Sequence, residues 1–262
     1  MALLFFYPRT QLKKAKTGAE CMATSIFMTT FDYRKRQKTT PMEPTMYDML
    51  MHLPLFQGMS RSELFEVIEQ AVFHFRKVGD GRVVVEQGER GHQLIFLMSG
   101  ELVSETCVPD AHLTFSETFT PYMAIEPHSL FGKQPAYKAT YRAKGEVSLL
   151  SIDKRYVHTL LGAYEVFRIN LINMLSSKIE NQHKQLWSIG EQELEGRVAR
   201  LIRSLCTIPQ GPKVLNIKME DLARLLDDTR LNVSRVLNKW HAEGLITMRR
   251  KEFVVHDIAR LP

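Results

Sequence analysis

Met219-Glu220-Asp221-Leu222-Ala223-Arg224-Leu225-Leu226-Asp227-Asp228-Thr229-Arg230-Leu231-Asn232-Val233-Ser234-Arg235-Val236-Leu237-Asn238-Lys239-Trp240 is the stretch that decides the fold. Residues 219–226 form a short helix with an apolar face, and Asp227-Asp228 is a turn. Thr229 caps a second helix that runs to the stop signal at Gly244. On that second helix Val233, Val236, Leu237 and Trp240 share one side. Arg230, Asn232, Ser234, Arg235, Asn238 and Lys239 are left for the others. Two helices joined by so short a turn make a helix-turn-helix. The N-terminal end of the second offers arginine, which pairs with guanine edges, and asparagine, which pairs with adenine. The plain alternative is a helix pair with a polar outer face that never touches DNA.

The next segment favours the DNA reading. Leu245-Ile246-Thr247-Met248 and Phe253-Val254-Val255-His256 are strand-like, with Arg249-Arg250-Lys251 at the tip between them. Three adjacent cations directly after a helix-turn-helix suit a wing that touches phosphates better than a merely solvated turn. Two local departures stand out. Lys218 precedes the first helix where Ser or Thr would cap better. Arg250 stands where a tight wing turn often uses glycine, which predicts a wider tip.

Upstream, Leu194, Val198, Leu201, Ile202 and Leu205 make an amphipathic helix closed by the loop Thr207-Ile208-Pro209-Gln210-Gly211-Pro212. Before Gly190-Glu191-Gln192, Ile172, Ile179 and Leu186 recur every seven residues, with Leu175 and Gln182 between them. That is a heptad seam with one polar break, and it predicts pairing between subunits rather than packing on its own domain.

Residues 73–153 change character. Val83-Val84-Val85, Leu94-Ile95-Phe96-Leu97, Glu101-Leu102-Val103 and Val147-Ser148-Leu149-Leu150 are β-rich runs separated by turn-forming residues. Gly79, Gly81, Gly88, Gly91 and Gly100 fall where tight turns need positive φ. A rolled antiparallel sheet follows. Ser60, three residues before Glu63, is a capping box for a short helix through the apolar run Leu64, Phe65, Val67, Ile68 and Val72.

The 262 residues, 44% hydrophobic and 24% charged, describe a soluble globular chain with room for two domains. The formal charge is +6, but residues 1–41 alone carry +6, residues 42–190 carry −3 and residues 191–262 carry +3. The basic tail is read as a disordered, solvated extension, even one lying upstream of a start at Met42 or Met46. A basic arm on DNA phosphates is the alternative.

Cys21, Cys107 and Cys206 are scattered and odd in number, so neither a disulfide framework nor a metal-binding spacing is expected. His74, His92, His112 and His128 are read as surface or turn residues, and no metal site is expected. No apolar run approaches the roughly 18 residues of a membrane span, and Met1–Tyr7 is too short and lacks the basic leader of a secretory signal. There is no glycine-rich phosphate loop and no nucleophile motif, so no catalytic residue is assigned and an enzyme is not expected.

From about residue 47 onward the chain resembles the cAMP receptor protein and fumarate-nitrate reduction regulator (CRP/FNR) family of bacterial transcription factors. The residues that carry the likeness are Val85-Glu86-Gln87-Gly88-Glu89, Leu94 through Leu102, Leu130-Phe131-Gly132, Gly196-Arg197-Val198-Ala199 and the segment from Asp221 through Val255. The resemblance implies an α+β fold: an N-terminal antiparallel β-roll of the cyclic-nucleotide-binding, jelly-roll type, a long dimerisation helix and a C-terminal winged helix-turn-helix. The corresponding domains are a tail at 1–41, a sensor at 42–162, the dimerisation helix at 163–190 and the DNA-binding domain at 191–262. The resemblance also implies a cytoplasmic homodimer on double-stranded DNA, contact with RNA polymerase and no membrane partner. The DNA-contacting set is Thr229, Arg230, Leu231, Asn232, Ser234, Arg235, Lys239, Arg249, Arg250 and Lys251. Leu231 stands where the best-known members carry an acidic base-reading residue, so a different operator preference is expected.

In the ligand segment, cAMP-binding members carry a glutamate after Phe-Gly and an arginine soon after. Here Lys133 follows Phe131-Gly132, and residues 134–140 contain no arginine. An ammonium accepts no hydrogen bond and lacks the guanidinium fork. The pocket candidates are Phe131, Gly132, Lys133, Lys138 and Thr140, with Gln182 and His183 from the long helix. A degenerate pocket with no cofactor is expected; cAMP, another nucleotide or a small anion acting as a switch is the alternative.

Overall fold

The computed structural model describes residues 45–187 and 193–262. The tail at 1–41, Cys21 and Gly190-Glu191-Gln192 lie outside the described residues. Two short helices open the fold, α1 (Met46–Met51) and α2 (Arg61–Gln70), and each starts on a capping box. Thr45 and Asp48 form the first and Ser60 and Glu63 the second, so orphan backbone donors at each helix start are answered by side chains.

The roll is built from β1 (Phe73–Val78), β2 (Val83–Val85), β3 (Gln93–Val108), β4 (Leu113–Phe119), β5 (Met123–Ile125) and β6 (Thr140–Asp153). The strand pairs are antiparallel, as the sequence predicts, and β3 and β6 form the spine, from Gln93 opposite Asp153 to Glu105 opposite Thr140. The runs at 94–97 and 101–103 are one strand rather than two. Gly100 lies inside β3 at φ 84° where the register to β6 slips, so it serves a bulge and not a turn. A β-carbon at Gly100 would collide with the Glu146 carbonyl oxygen. Gly81 and Gly88 have the expected positive φ, whereas Gly79 and Gly91 do not. Gly91 is needed for space: a β-carbon there would sit 2.5 Å from the Ser129 carbonyl oxygen.

After the roll come α3 (Lys154–Ala163) and the long α4 (Glu165–Trp187). The first turns of α4 bury Phe167 and Leu171 in a core with Phe56, Leu64, Phe96 and Leu160. Farther along, Ile169, Ile172 and Ile179 are exposed, while Leu175 is half-buried against the same core. The side chains of Gln182 and Leu186 lie outside the described residues.

The C-terminal part contains α5 (Leu194–Leu205), β7 (Lys213–Asn216), α6 (Met219–Leu225), α7 (Arg230–Ala242), β8 (Ile246–Arg249) and β9 (Glu252–Val255). Its core of Val198, Ile202, Leu222, Val233, Leu237, Trp240 and Val255 also takes in Leu113 and Phe115 from β4. β4 pairs with β7 from Thr114 opposite Asn216 to Glu117 opposite Lys213, so one sheet runs in the order β1-β6-β3-β4-β7-β9-β8. The roll and the winged helix are therefore joined through backbone hydrogen bonds and a shared core.

Candidate nucleic-acid interface and sensor pocket

α6 and α7 form the helix-turn-helix. Lys218 precedes α6 without a side-chain cap, as its chemistry dictates. Thr229 caps α7, its Oγ1 accepting from the Asn232 N–H at 3.2 Å. Asp228 fixes the same end from outside: Oδ1 accepts from the Thr229 N–H at 2.7 Å and from Asn232 Nδ2 at 2.9 Å. Its other oxygen meets Arg197 Nη2 at 2.5 Å, and Arg197 also donates to the Leu226 carbonyl at 2.6 Å. The donors, Asn232 first and the Thr229 N–H next, hold the Asp228 carboxyl below its ordinary range.

Val233, Leu237 and Trp240 face the core, which turns Arg230, Leu231, Asn232, Arg235 and Asn238 to solvent. Leu231 is 61% exposed. Arg230 Nη1 lies 3.3 Å from Glu220 Oε1, and Asn238 Nδ2 donates to the half-buried Ser234 Oγ at 3.3 Å. Lys239 turns away toward α5, 2.6 Å from Glu195, which raises its pKa. Arg235 makes no ion pair among the described residues.

The wing is tighter than the sequence predicts. Arg249 pairs with Glu252 across a two-residue turn, Arg250-Lys251, with Lys251 in the left-handed region at φ 63°. The strain at Lys251 is held by a hydrogen bond, since its carbonyl accepts from the Ile217 N–H at 2.9 Å. Between α6, α7 and the wing runs a groove of about 430 Å³, lined by Lys218, Glu220, Arg230, Arg249, Lys251 and Glu252 together with buried Leu222, Leu237 and Phe253. Of the predicted cations, Arg230, Arg249 and Lys251 thus share one groove, while Arg235, Lys239 and Arg250 do not line it.

The pocket candidates are less gathered. Phe131 lies under Lys154, whose Nζ is 5.0 Å from the ring centroid. Gly132, Lys133 and the Lys138 side chain are exposed, as is His183 on α4. Thr140 Oγ1 accepts from the Gln87 N–H at 3.0 Å. The centre of this region is a residue the sequence did not single out, Glu126, only 7% exposed and left-handed at φ 36°. Oε2 accepts from the Lys138 N–H and from Ser129 Oγ, both at 2.8 Å, and Oε1 accepts from the Ala139 N–H at 3.1 Å. Tyr141 Oη stands at 3.5 Å from Oε1, and burial carries its phenol well above the ordinary range.

His128, expected to be a surface or turn residue, lies in the 3-10 turn Pro127–Leu130 and is partly buried beside this carboxylate. Its Nε2 is 3.6 Å from Glu126 and its Nδ1 is 3.2 Å from Lys178 Nζ on α4. Burial, then the Lys178 charge, lowers the His128 pKa, and burial likewise lowers that of Lys178. No cluster of three metal-ligating side chains occurs among the described residues, and no described helix is long and apolar enough to cross a membrane.

Residues 75–164 match the family model described as cyclic nucleotide-binding domain, and residues 196–262 match the one described as Crp-like helix-turn-helix domain. The chain belongs to the CRP/FNR family. The cAMP-activated global transcriptional regulator CRP of Pasteurella multocida is 20% identical over 227 residues, covering 84% of this chain and 98% of that protein. The cyclic AMP receptor protein of Thermus thermophilus is 24% identical over 213 residues, covering 79% and 94%. Among solved structures, the Thermus thermophilus catabolite activator protein superposes with a TM-score of 0.47 at 23% identity, covering 79% of this chain and 96% of that one. These CRP/FNR relatives are transcription regulators and not enzymes, and this chain is a CRP-like, DNA-binding transcription regulator with the same two domains.

Proposed function

We propose that the chain is a cytoplasmic homodimer that binds a specific operator with α7 in the major groove, and that its β-roll is a degenerate sensor needing no cyclic nucleotide. The observation that carries this is the groove that Arg230 of α7 lines together with Arg249 and Lys251 of the wing, with Leu231, Asn232, Arg235 and Arg250 exposed on the same two elements. Arg235 reads guanine, Leu231 packs on a thymine methyl, and the wing cations take phosphates. The exposed stripe Ile169, Ile172 and Ile179 on α4 pairs with a second copy. On DNA the dimer contacts RNA polymerase, as the family resemblance implies.

Selection from a random duplex pool tests the reading. It predicts a palindrome whose half-sites are centred about one helical turn apart, bound without added nucleotide. Ile179→Asp is expected to raise the dimer Kd by about 30-fold or more. A non-palindromic or unselective outcome, or a dimer indifferent to Ile179, contradicts it.

A further inference from the structure

We infer that the sensor roll carries its own anionic ligand: the Glu126 carboxylate fills the anion site formed by the Lys138 and Ala139 amides and Ser129 Oγ. This deepens the proposal of a nucleotide-independent sensor by naming what occupies the pocket. Three features of Glu126 set it apart from an ordinary buried acid.

The first is its backbone. A left-handed glutamate is strained and persists only where its surroundings over-determine it, and here Glu126 sits at φ 36° with its side chain turned inward to 7% exposure. The second is the donor set. Two consecutive backbone N–H groups, of Lys138 and Ala139, converge on the two carboxylate oxygens, one on each, with Ser129 Oγ as a third donor. Successive amides aimed at one point make a concavity for anions. The third is where those amides lie. They belong to 131–140, the segment in which the family resemblance places ligand binding, and in which Lys133 and the missing arginine remove the expected nucleotide contacts. A tethered carboxylate has a high effective concentration, so a free anion must displace a group that cannot diffuse away.

The occupied site also reaches α4. His128 stands 3.6 Å from Glu126 and 3.2 Å from Lys178, so the internal carboxylate holds a contact between the roll and the long helix that a soluble ligand would otherwise have to supply.

Chemical rescue of the full chain tests this. Glu126→Gly removes the carboxylate and keeps the left-handed backbone free of strain. Its Tm is expected to rise with sodium acetate by about 3–6 °C at tenfold excess over Kd, relative to sodium chloride at equal ionic strength. Wild type, titrated with acetate, inorganic phosphate and cAMP, is expected to show no shift beyond the salt control. Comparing phosphate with cAMP on the variant tells whether the freed site takes a bare anion or needs a nucleoside.

No acetate response in Glu126→Gly overturns the assignment, as does a wild type that phosphate or cAMP stabilises as much as the variant. Should Glu126→Gly fold poorly, refolding yield with and without acetate becomes the readout, and equal yields overturn it. Operator binding by wild type is scored separately. Cyclic-nucleotide-dependent operator binding would sink the internal ligand while leaving the chain a DNA-binding regulator.

Discussion

Lys213 Nζ lies 3.1 Å from Glu117 Oε1 with both side chains almost wholly buried, at the register position where β4 of the roll meets β7 of the winged helix. The ammonium also donates to the Gln210 carbonyl at 2.7 Å, and the carboxylate accepts from the Thr207 and Ile208 N–H groups. Two charges removed from water are tolerable only because each is paired and hydrogen-bonded. This satisfied cluster fixes where the DNA-binding module sits on the roll of the same chain.

Removing one charge therefore strands the other. Glu117→Gln or Lys213→Met is expected to lower unfolding stability by about 3–5 kcal/mol each, measured by urea denaturation. The double variant should lose less than the sum of the two, because neither charge is then left unpaired. Additive losses would mean that the two groups are uncoupled.

Thr229 and Asp228 order the start of α7 in different ways, and their variants should separate. Thr229→Ala removes a helix cap and is expected to cost about 1 kcal/mol of stability. Asp228→Ala releases both Asn232 and Arg197, so operator affinity should fall more than in Thr229→Ala. Denaturation and operator titration on the same preparations check this.

His128 gives a pH signature. Its pKa in the folded chain lies below the ordinary value, chiefly through burial and then through Lys178 on α4 and Lys138 on the roll, with Glu126 opposing them. The unfolded chain thus binds the proton more readily, and stability from this group is full above pH ~6.5 and lost as pH falls below it. Thermal melts between pH 7.5 and 5 should fall less steeply in His128→Gln than in wild type. Parallel profiles would show that His128 is solvated.

The winged helix was legible because local chemistry decides it. Thr229 caps, Asp227-Asp228 turns, and the apolar spacing from Val233 to Trp240 sets the buried face without help from distant residues. Leu94 through Val103 misled in one respect, since Gly100 is as consistent with a bulge as with a turn until β6 is beside it. The wing tip misled for a similar reason, because Lys251 accepts a left-handed backbone once its carbonyl is tied to Ile217. Lys239 carries a plausible phosphate-binding charge in sequence, and only the fold shows it facing Glu195.

The pocket was the least legible part. Glu126 precedes Pro127 in a run with no motif of its own, and its partners Lys138, Ala139 and His128 matter through backbone amides and a ring nitrogen rather than through residue pattern. Glu117 and Lys213, 96 residues apart, meet only through sheet extension.

Operator titrations of wild type, Arg235→Ala and Arg250→Ala by fluorescence anisotropy at several salt concentrations, without added nucleotide, test sequence-specific recognition by α7 most directly. Arg235→Ala should lose about 1–3 kcal/mol of binding on the operator and little on a scrambled duplex. Arg250→Ala should weaken both duplexes equally and flatten the salt dependence by about one unit. Unchanged affinity in both variants, or equal losses on both duplexes in Arg235→Ala, would contradict the account.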